Sequence, residues 1–530
     1  MFEFRSLSKR FRTTALAVGL IAALGGAAEA ETTVTVAMTA SDIPDWAGQP
    51  DQGFEGSRFV GYSLYEGLLN WDLSASDKEV AVKPGLATEW HIDPKDPKRW
   101  IFTLRHDVKF HDGCEWNADV AIWNFDRLTN QKSAAFSPVY FARARPRTNE
   151  IAGLEKVSDD TIAITTKTVD SLFPYNLPYV LMVSKCAVEK AGNNYQEYAK
   201  APSGTGPYKF DKVVPHERLE FVKNTGYWDK NRIPKHDRLV LLPMPEATTR
   251  AAALLSGQVN FIEAPSPDMI PALKDAGMNV MTNAYPHTWP YLMNLLNGPF
   301  ADIKVREAAN YAVDRNAMVE MLGGIATTSF GAYTPSQKAY GKPVEYKTDT
   351  AKATELLKQA NCYPCAVTVA ISPSGSGQMQ PLPMNELVKS QLEAAGFQVK
   401  FEVVDWNTMI DIYYKGAVAY PQYHAINFSS GVMDPLSLLK GTAKMYQTPN
   451  GSNWGGLNDP QINELASKVM ETFDPDQQTK MLTSIHELMT KNAARLFIVS
   501  DLNPRALAPN LKGFIEAQSW FQDMTPITVE

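Results

Sequence analysis

Leu387-Val388-Lys389-Ser390-Gln391-Leu392-Glu393-Ala394-Ala395-Gly396-Phe397-Gln398-Val399-Lys400-Phe401-Glu402-Val403 changes its hydrophobic period halfway along. Before Gly396, the apolar Leu387, Val388, Leu392 and Ala395 share one helical face. After it, Phe397, Val399, Phe401 and Val403 alternate with Gln398, Lys400 and Glu402. The first pattern predicts an amphipathic helix and the second a half-buried strand. A glycine between them suits the left-handed position that ends a helix. The same two periods interleave elsewhere. Asp349 is placed to cap a helix from Thr350 to Ala360, with Ala353, Leu356, Leu357 and Ala360 on one face. Val305, Ala308, Ala309, Ala312 and Val313 make another apolar face, and Trp100, Phe102 and Leu104 alternate ahead of the turn His111-Asp112-Gly113. Interleaved helices and strands predict a mixed α/β fold. The chain shows no long internal repeat, no heptads and no long linker.

A chain of 530 residues exceeds the usual size of one domain. With 44% hydrophobic and 21% charged residues it has the composition of a packed protein. A net charge of -7 gives no footprint for nucleic acid or anionic lipid. The first thirty residues stand apart. Arg5, Lys9, Arg10 and Arg12 precede an apolar run from Ala15 to Leu24, and Ala28-Glu29-Ala30 follows as a small-x-small site. This is the order of a cleaved secretory signal. Its apolar core is too short to cross roughly 30 Å of hydrocarbon as a helix. The mature chain is therefore expected from about Glu31, in the periplasm, with 47 basic against 56 acidic side chains and a charge of -9.

Export makes the four cysteines candidates for disulfides. Four cysteines allow three connectivities, of which Cys114–Cys186 with Cys362–Cys365 is the preferred one. Cys362-Tyr-Pro-Cys365 has the spacing of a redox or zinc motif, but it follows a helix and precedes a strand-like run, the reverse of a thioredoxin-type site. The devices of an exported enzyme are missing: there is no H-E-x-x-H, G-x-S-x-G, P-loop or G-x-G-x-x-G. Asp159-Asp160 reads as a solvated turn. No metal site or cofactor is expected. An exported hydrolase with two acids scattered in sequence stays as the rival class.

Eight segments, in order, resemble the periplasmic dipeptide- and oligopeptide-binding proteins of ABC importers (extracellular solute-binding protein family five). They begin with Leu64-Tyr65-Glu66-Gly67-Leu68-Leu69-Asn70-Trp71 and Lys83-Pro84-Gly85-Leu86-Ala87-Thr88-Glu89-Trp90. Phe102-Thr103-Leu104-Arg105 then leads into Val108-Lys109-Phe110-His111-Asp112-Gly113, and Gly204-Thr205-Gly206-Pro207-Tyr208 follows. Asn224 to Trp228, Glu246 to Arg250 and Val305 to Arg315 continue the series into the Leu356 and Leu392 helices.

The resemblance implies a two-lobed periplasmic-binding-protein fold with an extra subdomain on the first lobe and a cleft between the lobes. Lobe I would comprise 31–62, 204–285 and 505–530, the subdomain 63–203, and lobe II 286–504. It also implies no catalytic step, capture of a small ligand by hinge closure, delivery to permease subunits in the inner membrane, and a monomer. In peptide-binding members an Asp shortly before an acidic-Pro pair holds the ligand ammonium. That position falls near Gly431 in Asn427 to Pro435, and only Asp434 is acidic there. The Arg that holds a dipeptide carboxylate has no counterpart in the uncharged stretch Ser372 to Met384. Burying an unpaired ammonium or carboxylate costs several kcal/mol, so a sugar, opine-like conjugate or metal chelate stands beside peptides as the ligand. Trp46, His287, Trp289, Tyr291, Trp406 and Trp454, with Asp434, are the candidate ligand contacts; each Trp is about equally at home in a core. Together they predict a pocket rich in rings and poor in charge.

Overall fold

The computed structural model describes residues 31–530; the expected export signal lies outside the described residues. Two large sheets organise the chain. The first has the order Asn279–Met281, Arg505–Leu507, Phe261–Glu263, Thr33–Met38, Arg238–Pro243, Arg218–Lys223, Tyr208–Val214. Its central Thr33–Met38 runs parallel to both neighbours. The second has the order Ala326–Thr328, Arg495–Asp501, His287–Met293, Ala425–Asn427, Cys365–Ile371, Phe397–Val403, with Ser430–Gly431 pairing on His287–Met293. Helices pack on each, so the molecule is α/β with two lobes. The chain passes from the first sheet to the second between Met281 and His287 and returns between Asp501 and Arg505. A four-stranded antiparallel sheet, Ala87–Asp93, Asp96–Leu104, Thr161–Thr166 and Ile151–Lys156, stands apart from both.

The stretch 387–403 folds as its two periods require. The helix Pro381–Ala395 buries Val388, Leu392 and Ala395, and Gly396 ends it at φ 108°. A side chain there would also run into the ring of Tyr363. Phe397–Val403 then pairs in parallel with Cys365–Ile371, completing a strand–helix–strand unit. Phe397 and Val399 are buried as expected, whereas Val403 is exposed at the strand's end. Asp349 accepts from Lys352 N at the start of the helix Thr350–Gln359. Val305, Ala308, Ala309 and Ala312 are the buried face of Ile303–Ala312.

The resembling segments are mostly scaffold. Gly204 and Gly206 lie against the backbone of Ser63 and Leu64 so closely that a Cβ would sit 1.9 Å from Leu64 O or 2.4 Å from Ser63 O. Gly206 N donates to Leu64 O at 3.1 Å. Beside this crossing, the buried Glu66 carboxylate accepts from Thr205 Oγ1, Tyr227 Oη and Trp228 Nε1 at 2.7–2.9 Å. Burial pushes its pKa up, and the three donors oppose that shift.

Disulfides join Cys114 to Cys186 and Cys362 to Cys365. The first ties two residues 72 positions apart and the second two residues three apart. Closing the longer loop removes more freedom from the unfolded chain. Replacing Cys114 and Cys186 together by Ser is therefore expected to lower stability in a denaturant titration by about 4 kcal/mol, and replacing Cys362 and Cys365 by under about 2 kcal/mol. Equal losses would show that loop length is not what sets their contributions.

Candidate functional site

A cavity of about 510 Å³ lies where the two lobes and the segment carrying the four-stranded sheet meet. That size lies within the roughly 300–1,000 Å³ of small-molecule sites. The loop around Gln49–Phe54 forms one side of it. The helix Pro138–Thr148 contributes Arg143, Pro146 and Arg147. Ser137 starts this helix by accepting from Tyr140 N, and Pro138 takes the first helical position, where no N–H is required. The helix Trp406–Ala419, capped by Asp405, turns Trp406, Ile410, Tyr413 and Tyr414 to the cavity. Their i, i+4, i+7, i+8 spacing puts them on one face. Phe428–Gly431 and the helix Pro435–Thr442, with Ser437 and Lys440, complete the wall.

Rings dominate two sides. Trp406 stacks on Phe428 with centroids 5.0 Å apart, and Phe428 stacks on Tyr413 at 4.1 Å. Opposite, Phe54 stacks on Trp520 at 5.2 Å. The lobes touch across the cavity: Ser376 Oγ donates to Gln52 O at 3.3 Å, and Gly53 packs on Ser376 and Trp406. Of the lining residues, Arg147 Nη1, Tyr179 Oη, Ser430 Oγ and the Nε1 atoms of Trp406 and Trp520 are buried with no hydrogen-bond partner. Buried polar atoms in native proteins are nearly always satisfied, so this wall is built to be completed by a bound molecule or by water.

Charge reaches the cavity from a direction the sequence reading did not consider. Arg143 Nη1 donates to Asp45 Oδ2 at 2.6 Å and to Gln49 O at 2.8 Å, while Nη2 lies 3.3 Å from Asp51 Oδ2. Burial pushes the Asp51 carboxyl up despite Arg143 and an N–H from Asp45. Arg147 lies over the ring of Tyr179, 3.7 Å from its centroid. Lys440 Nζ donates to Pro146 O at 2.6 Å and Asn176 Oδ1 at 2.8 Å. Burial, reinforced by the neighbouring Arg147, pulls its ammonium down to about 7. The expected scarcity of charge is therefore corrected. Ser372 to Met384 brings none, but the helix Pro138–Thr148 and Lys440 do.

Of the residues singled out from sequence, Trp406 lines this cavity and the other six do not. Every residue of the strand His287–Met293 is buried, because both its faces are covered. Trp289 accordingly donates to Gln378 Oε1 at 2.8 Å inside the lobe, and the Tyr291 hydroxyl donates to Asn385. His287 Nδ1 meets Asp501 Oδ2 at 2.5 Å, with its ring between Tyr285 and Trp520. Trp454, 2% exposed, donates to Ile412 O and so braces the Trp406–Ala419 helix from behind. Trp46 donates to Ala199 O and accepts the Tyr65 hydroxyl, pinning its loop. Asp434 caps the helix Pro435–Thr442 through Ser437 N and Oγ, and borders a separate cavity of about 200 Å³ with Tyr175 and Tyr333. Sequence reasoning missed Phe54, Arg147, Tyr179, Phe428, Lys440 and Trp520. It also missed Tyr413 and Tyr414, which alone carried a usable signal through their helical spacing from Trp406. Among the described residues no group of three His, Cys, Asp or Glu side chains is placed to hold a metal ion.

The family model for bacterial extracellular solute-binding proteins, family 5 (middle region), matches residues 81–462. The glutathione-binding protein GsiB of Escherichia coli O157:H7 is 28% identical over 470 residues, covering 86% of this chain and 87% of the relative. The fold is similar to that of the periplasmic binding protein DppA from Helicobacter pylori in complex with the peptide STSA. The TM-score is 0.81 at 21% identity, over 94% of this chain and 99% of that one. It is also similar to AgaA from A. tumefaciens R10 in complex with agropinic acid, with a TM-score of 0.77, 21% identity and the same coverage. The chain belongs to the family 5 bacterial extracellular solute-binding proteins, the substrate-binding components of ABC importers.

Proposed function

We propose that the 510 Å³ cavity is the ligand site and that the chain, freed of its first thirty residues, works as a periplasmic monomer that delivers a small ligand to an inner-membrane permease. One observation carries this reading. The cavity is walled by three separate parts of the chain, so it encloses a ligand only when they come together. Two crossings, 281–287 and 501–505, link the sheets, and a hinge there lets ligand binding select the closed form. The strands of the first sheet come from 33–38, 208–281 and 505–507, which supports the division into lobe I (31–62, 204–285, 505–530), subdomain (63–203) and lobe II (286–504).

The lining supports a binding role: among the described residues its carboxylate, Asp51, faces Arg143, and no His or Cys lines it. That no helix among the described residues is long and apolar enough to cross a membrane is compatible with export of a free protein. Relatives bind glutathione, the peptide STSA and agropinic acid, so both a peptide and a non-peptide ligand are carried forward. Mass spectrometry of molecules released from freshly purified mature protein, followed by thermal shift with each, tests the reading. A true ligand at a hundred times its Kd is expected to add about 2.7 kcal/mol of stability. Repeated preparations with nothing released and no shift from glutathione, STSA or agropinic acid would count against it.

Two substitutions separate the cavity from its supports. Trp406→Ala removes half of a stacked pair at the cavity and is expected to weaken binding of the released ligand about tenfold, or about 1.4 kcal/mol, by calorimetry. Trp454→Ala empties a buried site behind the same helix. It is expected to cost about 3–5 kcal/mol of folding stability while leaving the affinity of the folded protein within a factor of two or so.

A further inference from the structure

Two arginines one helical turn apart, Arg143 and Arg147, reach the cavity from the helix Pro138–Thr148 and differ in one respect. The Arg143 guanidinium is consumed by the protein: Asp45, Asp51 and the Gln49 carbonyl take its N–H groups. The Arg147 guanidinium forms no ion pair with any described residue, and its Nη1 is buried with no hydrogen-bond partner. Its face is covered by the Tyr179 ring at 3.7 Å, which leaves its N–H edge as the side open to an acceptor. That edge is a rigid fork of donors whose natural complement is a flat oxyanion, bound in the plane by two parallel hydrogen bonds. Leaving such donors buried and unmatched is costly, so the arrangement is explained by a partner that arrives from outside.

A second cation stands beside it. Lys440 Nζ reaches the carbonyl of Pro146, the residue adjoining Arg147, and has no carboxylate within ion-pair distance. Asp434, Asp170 and Glu150 act on it only from further away, and together they do not offset its burial and the nearby guanidinium. Arg143 and Arg147 balance Asp51 and the Asp45 behind it, so the positive excess at this end of the cavity is the charge that Lys440 carries, which an anion placed beside it would favour. A free ligand ammonium has no comparable seat. The one lining carboxylate, Asp51, already accepts from Asp45 N at 2.8 Å and faces Arg143. The remaining wall is the stack Trp406–Phe428–Tyr413 with Phe54 and Trp520 opposite, surfaces suited to a planar or apolar body.

Resting on the reading of this cavity as the ligand site, we infer that the transported molecule is an organic oxyanion, a carboxylate or phosphate monoester. Its anionic group is gripped by Arg147 and Lys440, and its planar or apolar body lies between the two ring walls. The grip comes from the segment inserted between Leu64 and Gly204, not from the loop 372–384 of the second lobe.

The test uses mature protein and four probes that share one ring: benzoate, phenyl phosphate, neutral benzamide and cationic benzylammonium, compared by thermal shift and calorimetry at one ionic strength. At least one of the two anions is expected to stabilise the wild type and bind roughly ten- to a hundredfold more tightly than benzamide or benzylammonium. Benzoate and phenyl phosphate acting unequally would tell which oxyanion the fork prefers. Arg147→Gln is expected to abolish the advantage of the anions, with the unliganded melting temperature lowered by no more than a few degrees, since the protein loses only the contact with the Tyr179 ring. Arg147→Lys is expected to retain the charge preference but lose part of the affinity, since an ammonium cannot offer the fork. Lys440→Met is expected to weaken the anions separately. The inference is overturned if neither anion stabilises the protein, if benzamide or benzylammonium does so equally well, or if Arg147→Gln responds like the wild type. A neutral or cationic molecule found in the cavity of purified protein would overturn it too, while leaving the cavity's role as a ligand site intact.

Discussion

Charge buried where the two lobes join is the constraint around which the rest is arranged. Arg58 lies between Glu55, 2.6 Å away, and Glu263, and Arg505 approaches the same Glu263 at 3.0 Å; all four side chains are almost fully buried. Glu263 and Arg505 sit opposite each other on neighbouring strands of the first sheet, so the sheet's register itself fixes the pair. Arg505 ends the return crossing from the second lobe, and Asp501, which begins it, pairs with His287 at the end of the outward one. A pair of this kind adds little net stability when intact, but loss of either member strands a buried charge at a cost of about 3–5 kcal/mol. Its effect is to hold the register of the first sheet beside the crossings. The cavity can be shaped by loops because the strands that lead to it are held in this way.

The parts of the molecule governed by local periodicity could be read from the sequence. Helix 381–395, Gly396 and strand 397–403 follow from side-chain alternation and one positive φ, as does the helix capped by Asp349. These features depend on residues within a few positions of one another. The candidate site does not. The alternating arginines Arg143, Arg145 and Arg147 are equivalent in sequence, and only the approach of Asp45 and Asp51 makes one of them structural and leaves another unmatched. Lys440 reads as an ordinary charge near the end of a helix until Pro146 and Asn176 close over it.

The aromatic residues show the same division. Trp289 and Tyr291 alternate with other groups in sequence, but a central strand covered on both faces has no side turned to the cleft. Trp454 in Asn453-Trp454-Gly455-Gly456 looks like a loop residue, yet its indole is packed beneath the helix whose opposite face carries Trp406. Trp406 was singled out as a ring following the strand that begins at Phe397, and the structure shows it opening a helix that also turns Tyr413 and Tyr414 to the cavity. Ring content put one candidate, Trp406, on the cavity, while the burial of strand 287–293 keeps Trp289 and Tyr291 away from it.

The crossing at Gly204–Gly206 has a bearing on how such a protein diversifies. The two ends of the intervening segment lie side by side, backbone against backbone, on the first lobe. Everything between them, including Arg143, Arg147 and Tyr179, leaves and rejoins that lobe at one place, and it also packs on the second lobe, where Ser171 N donates to Met470 O and Lys440 Nζ to Pro146 O. Changes within this segment can therefore rebuild the part of the cavity wall it supplies without rethreading either large sheet.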